Sequence, residues 1–109
     1  MTFKEYQEAA DSTAIYPDRG ENLIYPTLGL VGESGEVAEK VKKLIRDAKG
    51  EQTPEFRAEL AKEVGDVLWY ISQVAHEIGT DIESVAELNI EKLRSRKERG
   101  VIHGGGDNR

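Results

Sequence analysis

The feature that most constrains the fold is a five-residue acidic pattern that occurs twice along the chain. Residues 33–37 read ESGEV and residues 63–67 read EVGDV, so both contain glutamate, any residue, glycine, an acid and valine. A glycine inside a helix costs about 1 kcal/mol relative to alanine, and a buried carboxylate is costly to desolvate. Local stability does not favour this pattern, and its repetition indicates a function that the two segments share.

Both copies of the pattern lie beside an apolar stripe of helical period. With residues placed at about 100° intervals, Glu63 and Asp66 lie at one edge of the stripe on their helix. Glu33 and Glu36 lie at the same edge on theirs. The stripes consist of Phe56, Leu60, Val64, Val67 and Ile71 on one helix and of Leu30, Val37, Val41 and Leu44 on the other. Two helices that pack through these stripes would bring four carboxylates together at the seam.

Helical signals continue along the rest of the chain, and we predict an all-α fold of four helices. The predicted helices span residues 2–12, 27–49, 54–78 and 80–99. Capping-box patterns begin at Thr2 and Thr80, and Thr53 is suited to cap the third helix. No segment shows period-2 alternation, and the short connections between the last three helices favour an antiparallel four-helix bundle.

The chain divides into one helical domain, residues 1–99, and a glycine-rich C-terminal tail, residues 100–109. The tail contains VIHGGGDNR and has too few apolar residues to fold by itself. We therefore expect it to be disordered. The alternative is that the N–H groups of its glycines wrap a phosphate group.

The amino-acid composition argues against several classes of protein. The net charge of −6 argues against nucleic-acid binding, because affinity for phosphate backbones comes from clustered basic residues. The absence of cysteine excludes disulfides and zinc-thiolate sites. There is neither a signal-peptide pattern nor an apolar run long enough to span a membrane, so we expect a soluble cytoplasmic protein. A domain of 109 residues has a small core, which predicts a homodimer or homotetramer.

Four converging carboxylates would repel each other unless cations were present. An all-oxygen ligand set points to Mg²⁺, with Mn²⁺ as the alternative. Gly35 and Gly65 would then remove bulk where a neighbouring backbone, a metal or a phosphate approaches. The competing interpretation is a solvated acidic surface, since acids spaced three residues apart are common among the 21 Asp and Glu residues. The doubled pattern with matched stripes favours a site.

The two acidic segments carry a family resemblance. LVGESGEVAEKVKKL and ELAKEVGDVLWYI resemble the Glu-x-x-Glu and Glu-x-x-Asp motif pair of MazG-like nucleoside triphosphate pyrophosphohydrolases, of the all-α NTP pyrophosphatase superfamily. The resemblance covers residues 25–97. It implies a four-helix fold, at least a homodimer, and Mg²⁺-dependent hydrolysis of a nucleotide between its α- and β-phosphates.

By motif position, Glu33, Glu36, Glu63 and Asp66 correspond to the metal ligands and catalytic carboxylates of that family. Many members have two adjacent acids where this chain has Gly32-Glu33. This departure bears on the number of metal ions and on which carboxylate is the general base, and both points stay open.

Helix four and the end of the second motif supply candidate substrate-binding residues. NIEKLRSR is similar to the family's phosphate-binding Asn-x-x-Lys stretch, and Asn89, Lys92 and Arg96 share one helix face. The competing interpretation is a solvated basic helix end that complements the helix dipole. Trp69 and Tyr70 are candidates for stacking on a base, although aromatic residues in bundles more often pack in the core or at an interface.

Together these features predict a nucleotide pyrophosphohydrolase that converts canonical or modified (d)NTPs to (d)NMPs and pyrophosphate, with a role in cleaning the nucleotide pool. Two alternatives stay open. One is a phosphoribosyl-ATP pyrophosphohydrolase, and the other is a non-catalytic helical dimerisation or regulatory module. The preferred base and sugar are not specified by these motifs.

Overall fold

A computed structural model describes the whole chain, Met1–Arg109, as four helices without a strand. The helices are α1 (Phe3–Ser12), α2 (Ile24–Ala48), α3 (Pro54–Glu77) and α4 (Ile82–Glu98). The all-α prediction is confirmed. None of the four helices combines the length and the apolar character that a membrane crossing requires.

Local capping chemistry sets the starts of α1 and α3 where the sequence predicted them. Thr2 and Glu5 form the complete capping box, with the Thr2 hydroxyl accepting from the Glu5 N–H and the Glu5 carboxylate accepting from the Thr2 N–H. The Thr53 hydroxyl accepts from the N–H of Phe56, and Pro54 lies in the first turn of α3. Each cap satisfies N–H groups that have no partner inside the helix.

The predicted start of α2 at Thr27 was wrong, because the helix begins at Ile24. A proline biases the residue before it away from the helix, but Pro26 lies within the first turn of α2. Its missing N–H costs nothing there. The Asn22 side chain accepts from the N–H of Tyr25 at 3.1 Å and so helps to cap the earlier start.

The predicted capping box at the start of α4 was also wrong by one residue. Asp81, not Thr80, is the N-cap, and its carboxylate accepts from the N–H of Ser84 at 2.8 Å. This bond lowers the pKa of Asp81. An acid at this position also complements the positive end of the helix dipole.

The helices pack in an open arrangement. α2 and α3 form a hairpin with the most extensive contact in the chain, whereas α1 and α4 pack on each other and on α3, and α2 contacts no helix but α3. The radius of gyration is 16.8 Å, against about 13 Å for a compact domain of this length. Only nine of the 109 residues are buried, so a single chain closes only a small core.

A buried polar network fastens α1 and the following connection to α3. Gln73 is fully buried, donates to the Asp11 carboxylate at 3.0 Å and accepts from Arg19 Nε at 3.0 Å. The Gln7 side chain accepts from the N–H of Ile82 at 2.9 Å, which joins α1 to the start of α4. These bonds fix the ends of three helices where little apolar surface is buried.

Glu77 orders the long connection between α1 and α2. Its carboxylate accepts from the Tyr16 hydroxyl at 2.7 Å and from the N–H groups of Gly20 and Asn22 at 2.9 and 3.4 Å. The Tyr16 ring is buried and stacks on Tyr25, with centroids 4.9 Å apart. The connection therefore has a defined path that places Tyr25 at the start of α2.

The C-terminal tail is folded, contrary to the expectation of disorder. The Arg109 guanidinium donates to the carbonyls of Val101, Ile102 and Gly106. A Cβ at Gly104 would lie 2.7 Å from the Arg109 side chain, so the Arg109 side chain packs closely against Gly104. The tail closes through guanidinium–carbonyl hydrogen bonds, which compensate for its few apolar residues.

Candidate metal and phosphate site

The two acidic patterns face each other across the seam between α2 and α3. One carboxylate oxygen each from Glu33, Glu63 and Asp66 can be chosen so that all three atoms lie within 4.8 Å of one another. Glu33 and Glu63 are half-buried and Asp66 is exposed. We call these three residues the carboxylate triad.

Glu36 lies outside the carboxylate triad, although the sequence placed four acids at the seam. It is exposed on α2, yet its charge still acts on Glu33. Burial raises the pKa of Glu33 above its ordinary value, and the charges of Asp66, Glu63 and Glu36 raise it further. The site thus concentrates negative charge, as the prediction required, with three acids close together and the fourth beside them.

One cation touches the triad. Lys40 Nζ lies 3.8 Å from the Glu63 carboxylate, whereas no ion pair joins Glu33 or Asp66 to a basic side chain. The sequence reasoning missed Lys40, although it follows Glu33 by seven residues. That spacing returns a helix to nearly the same face after two turns.

The donor set fits a hard divalent cation. Three carboxylates supply oxygen ligands, and neither sulfur nor imidazole lies in the triad. Ligand oxygens around Mg²⁺ lie up to about 4.2 Å apart, so side chains whose oxygens are within 4.8 Å of one another need only small rotations. Mn²⁺ accepts the same ligands.

Packing within the chain requires a glycine at position 29, not at the two positions beside the acids. A Cβ at Gly35 or Gly65 would meet nothing within 4 Å, so no segment of this chain requires the space that they leave. Gly29, which the sequence reasoning did not single out, is the glycine that packing demands. A Cβ there would overlap the Tyr70 ring, so Gly29 lets that ring lie against α2.

Tyr70 lies beside the carboxylate triad and Trp69 points toward α1. Tyr70 packs on Gly29, and burial raises its pKa, with a further contribution from the charge of Glu33. Trp69 Nε1 donates to the Thr13 hydroxyl at 2.9 Å, and its ring meets the Tyr70 ring edge to face. Of the two aromatic residues suggested by the sequence, only Tyr70 lies close enough to the triad for the charge of Glu33 to raise its pKa.

The helix that carries the predicted phosphate-binding residues, α4, packs on α1 and α3. α4 makes no packing contact with α2. Asn89 and Lys92 share a shallow surface depression of about 430 Å³ with Val85 and Leu88. This open depression is accessible to a ligand.

Arg96 differs from its two neighbours because it is buried, with 5% of its surface exposed. It donates to the carbonyls of Asp107 and Gly106 at 3.0 and 3.4 Å. Lys92 Nζ lies 3.4 Å from the Asp107 carboxylate. The tail thus covers the basic end of α4, a contact that the sequence reasoning did not foresee.

Comparison with known proteins identifies the family. Residues 25–101 match the model of the MazG nucleotide pyrophosphohydrolase domain, which includes the carboxylate triad and all of α4. The chain belongs to the MazG family. It is also 52% identical over 109 residues to the Gene 37 protein of Mycobacterium phage L5, covering 95% of this chain and 96% of that protein. No solved structure matches the chain.

Membership of the MazG family confirms the resemblance that the two acidic motifs suggested. The matched region includes both motifs together with the connection between them. The family suggests nucleotide pyrophosphohydrolase activity, and the acidic cluster at the α2–α3 seam could hold a metal ion.

Proposed function

We propose that this MazG-family protein is an Mg²⁺-dependent pyrophosphohydrolase that cleaves (d)NTPs between the α- and β-phosphates. The products would be a nucleoside monophosphate and pyrophosphate, and the biological role would be to clean the cytoplasmic nucleotide pool. The observation that carries the proposal is the carboxylate triad, whose members are half-buried or exposed at an open seam. Such clustered charge is costly unless a cation neutralises it.

Each part of the site has a role in this reaction. Glu33, Glu63 and Asp66 would hold Mg²⁺, or Mn²⁺ in its place. The metal would supply charge neutralisation for the phosphates and acidify a water molecule. One carboxylate of the site accepts the proton of the attacking water, and Tyr70 lines the nucleotide. Asn89 and Lys92 donate hydrogen bonds to phosphate oxygens.

The protein would act as a homo-oligomer, at least a dimer. Large apolar side chains stay exposed on α2 and α3, namely Leu28, Val31, Val41, Ile45 and Val64. A second copy that covers them would complete the small core of the single chain. Within one chain α4 packs on α3 but not on α2, so we propose that the α4 of a second copy brings Asn89 and Lys92 to Glu33 on α2.

The test is turnover by a matched pair of variants. Glu63→Gln removes a triad carboxylate, whereas Glu59→Gln removes the charge of an exposed acid one turn earlier, which pairs with Lys62. A panel of NTPs and dNTPs is incubated with Mg²⁺ or with EDTA, and monophosphate and pyrophosphate are quantified. We expect Glu59→Gln to keep wild-type turnover and Glu63→Gln to lose nearly all of it.

Near-normal turnover of Glu63→Gln would refute the ligand assignment. Turnover of phosphoribosyl-ATP alone would assign the chain to that reaction instead. If neither substrate reacts, and Mg²⁺ and nucleotide leave the thermal stability unchanged, the chain is a non-catalytic module, since a ligand that binds the native state must shift unfolding.

A further inference from the structure

The acidic residue of the tail contacts the two basic residues of α4 that the sequence predicted to bind phosphate. The Asp107 carboxylate lies 3.4 Å from Lys92 Nζ and 3.5 Å from Arg96 Nη2. Lys92 lowers the pKa of Asp107 through a hydrogen bond and its charge, and Arg96 lowers it further. Asp107 is therefore a carboxylate anion at neutral pH, held where a phosphate oxygen would be expected.

Arg96 shows that the tail fills this site incompletely. Its side chain is only 6% exposed, and its contacts with the tail are made through Nη2. The Nε atom is buried and has no hydrogen-bond partner. An unpaired buried donor is costly, and a guanidinium has five N–H donors. The tail thus leaves donor capacity that a ligand with more oxygen atoms could use.

The Asp107 contact is also weak enough to be replaced. Asp107 is 86% exposed in its side chain and Lys92 is 40% exposed. Exposed ion pairs contribute little to stability. A phosphate group carries more charge than a carboxylate and makes strong charge-assisted bonds to Lys and Arg. It would therefore compete well for the same two cations.

We propose that Lys92 and Arg96 form an anion site that Asp107 occupies in the free chain, and that a phosphate group displaces Asp107 and loosens the tail. The inference rests on the proposed function in one respect, since it takes the phosphate from the nucleotide or from the pyrophosphate product. Asp107 then acts as an internal competitor. The site becomes available only to ligands with enough negative charge to replace it.

The test measures binding of inorganic pyrophosphate in EDTA, so that neither the metal site nor catalysis contributes. Asp107→Asn removes the competing charge and keeps the size of the side chain. Glu91→Gln is the matched control, because it removes an exposed negative charge next to Lys92 in the sequence and makes no ion pair. Isothermal titration gives the dissociation constant for each protein.

We expect Asp107→Asn to bind pyrophosphate about threefold to tenfold more tightly than the wild type, the range for removing an exposed pair together with its like-charge repulsion. Glu91→Gln should change binding by less than about twofold at physiological salt, where exposed charges at a distance are screened. In the wild type, pyrophosphate should also accelerate amide hydrogen exchange across residues 101–109.

Three outcomes would overturn the proposal. Asp107→Asn could bind pyrophosphate no more tightly than the wild type, or both variants could gain equally, which would indicate a general effect of charge. Unchanged tail exchange at saturating pyrophosphate would show that the tail does not respond. Turnover of (d)NTPs is measured separately, so a failure here leaves the proposed function to its own test.

Discussion

Replacing Glu33 with glutamine should stabilise the metal-free protein while removing its response to Mg²⁺. Glu33 lies with two other carboxylates inside the triad and has no basic partner. Its pKa is raised by burial and then by the charges of Asp66, Glu63 and Glu36. Glutamine keeps the size of the side chain and removes the charge, so the substitution removes both the cost of burying the charge and its repulsion from the other acids.

The magnitude follows from the geometry of the triad. Two unit charges 4.8 Å apart repel by about 0.9 kcal/mol in bulk water. A Debye length of about 8 Å at physiological salt reduces this to about 0.5 kcal/mol. Two such pairs disappear in Glu33→Gln, so the free energy of unfolding should rise by at least about 1 kcal/mol, or about 4 °C in Tm.

The stability change of a second variant, Glu63→Gln, can be compared with that of Glu33→Gln. This variant also relieves two repulsions, those of Glu63 with Glu33 and with Asp66, but it loses the attraction of Lys40, whose Nζ lies 3.8 Å from the Glu63 carboxylate. That attraction is about 0.7 kcal/mol after the same screening. The net gain for Glu63→Gln should therefore be about 0.3 kcal/mol, clearly smaller than the gain for Glu33→Gln.

Thermal unfolding followed by circular dichroism, at one protein concentration, measures these differences in EDTA and then in excess Mg²⁺. At ten times its dissociation constant, Mg²⁺ should stabilise the wild type by about 1.4 kcal/mol, and neither variant should respond.

Because the folded pKa of Glu33 is raised, the wild type loses stability as pH rises through that pKa. The advantage of Glu33→Gln should be full at neutral pH and disappear below the ordinary glutamate pKa of about 4.3.

Two results would refute this reasoning. A Glu33→Gln protein that is less stable than the wild type in EDTA would show that the carboxylate is held by favourable contacts. An undiminished Mg²⁺ shift in that variant would show that the metal binds elsewhere.

Two further predictions concern packing around the site. Gly29→Ala should lower the free energy of unfolding in urea by about 1–3 kcal/mol, because the added Cβ overlaps the Tyr70 ring. The control Gly32→Ala, whose Cβ has nothing within 4 Å, should leave the free energy of unfolding unchanged or raise it by up to about 1 kcal/mol. Equal effects would show that the close approach of Tyr70 to Gly29 does not limit stability. Tyr16→Phe should cost about 1 kcal/mol through loss of the bond to Glu77. Burial and that bond raise the pKa of Tyr16, so the wild type should lose stability in thermal scans as pH rises above about 10. The variant should lose less, because only the raised pKa values of Tyr6 and Tyr70 still contribute.

Features encoded within one or two helical turns could be predicted from the sequence. The caps at Thr2 and Thr53 depend on hydrogen bonds to residues three positions away, and the acids follow directly from helical period. The errors at the starts of α2 and α4 are of the same local kind. They arose because Pro26 fits inside a first turn and because Asp81 competes with Thr80 for the capping position.

The position of Glu36 shows the limit of helical period. Glu33 and Glu36 share a helix edge but differ by about 4.5 Å along the helix axis. Which of them is level with Glu63 and Asp66 depends on how far one helix is shifted along the other. A helical wheel carries no information on this axial shift, so it predicted four converging acids where the structure brings three together.

Contacts between segments that are far apart in the chain could not be predicted from a single sequence. Gly29 with Tyr70 and Tyr16 with Glu77 join residues far apart in the chain. The tail contact of Arg96 depends on hydrogen bonds between a guanidinium and main-chain carbonyls. Main-chain carbonyls are present at every residue, so the sequence carries no signal that marks the ones used.

The most direct measurement of the central claim is ³¹P NMR of a (d)NTP incubated with the protein and Mg²⁺. If the carboxylate triad supports cleavage between the α- and β-phosphates, monophosphate and pyrophosphate should appear in equal amounts, and EDTA should stop the reaction. Formation of a nucleoside diphosphate and orthophosphate, or products that form equally well in EDTA, would contradict the account.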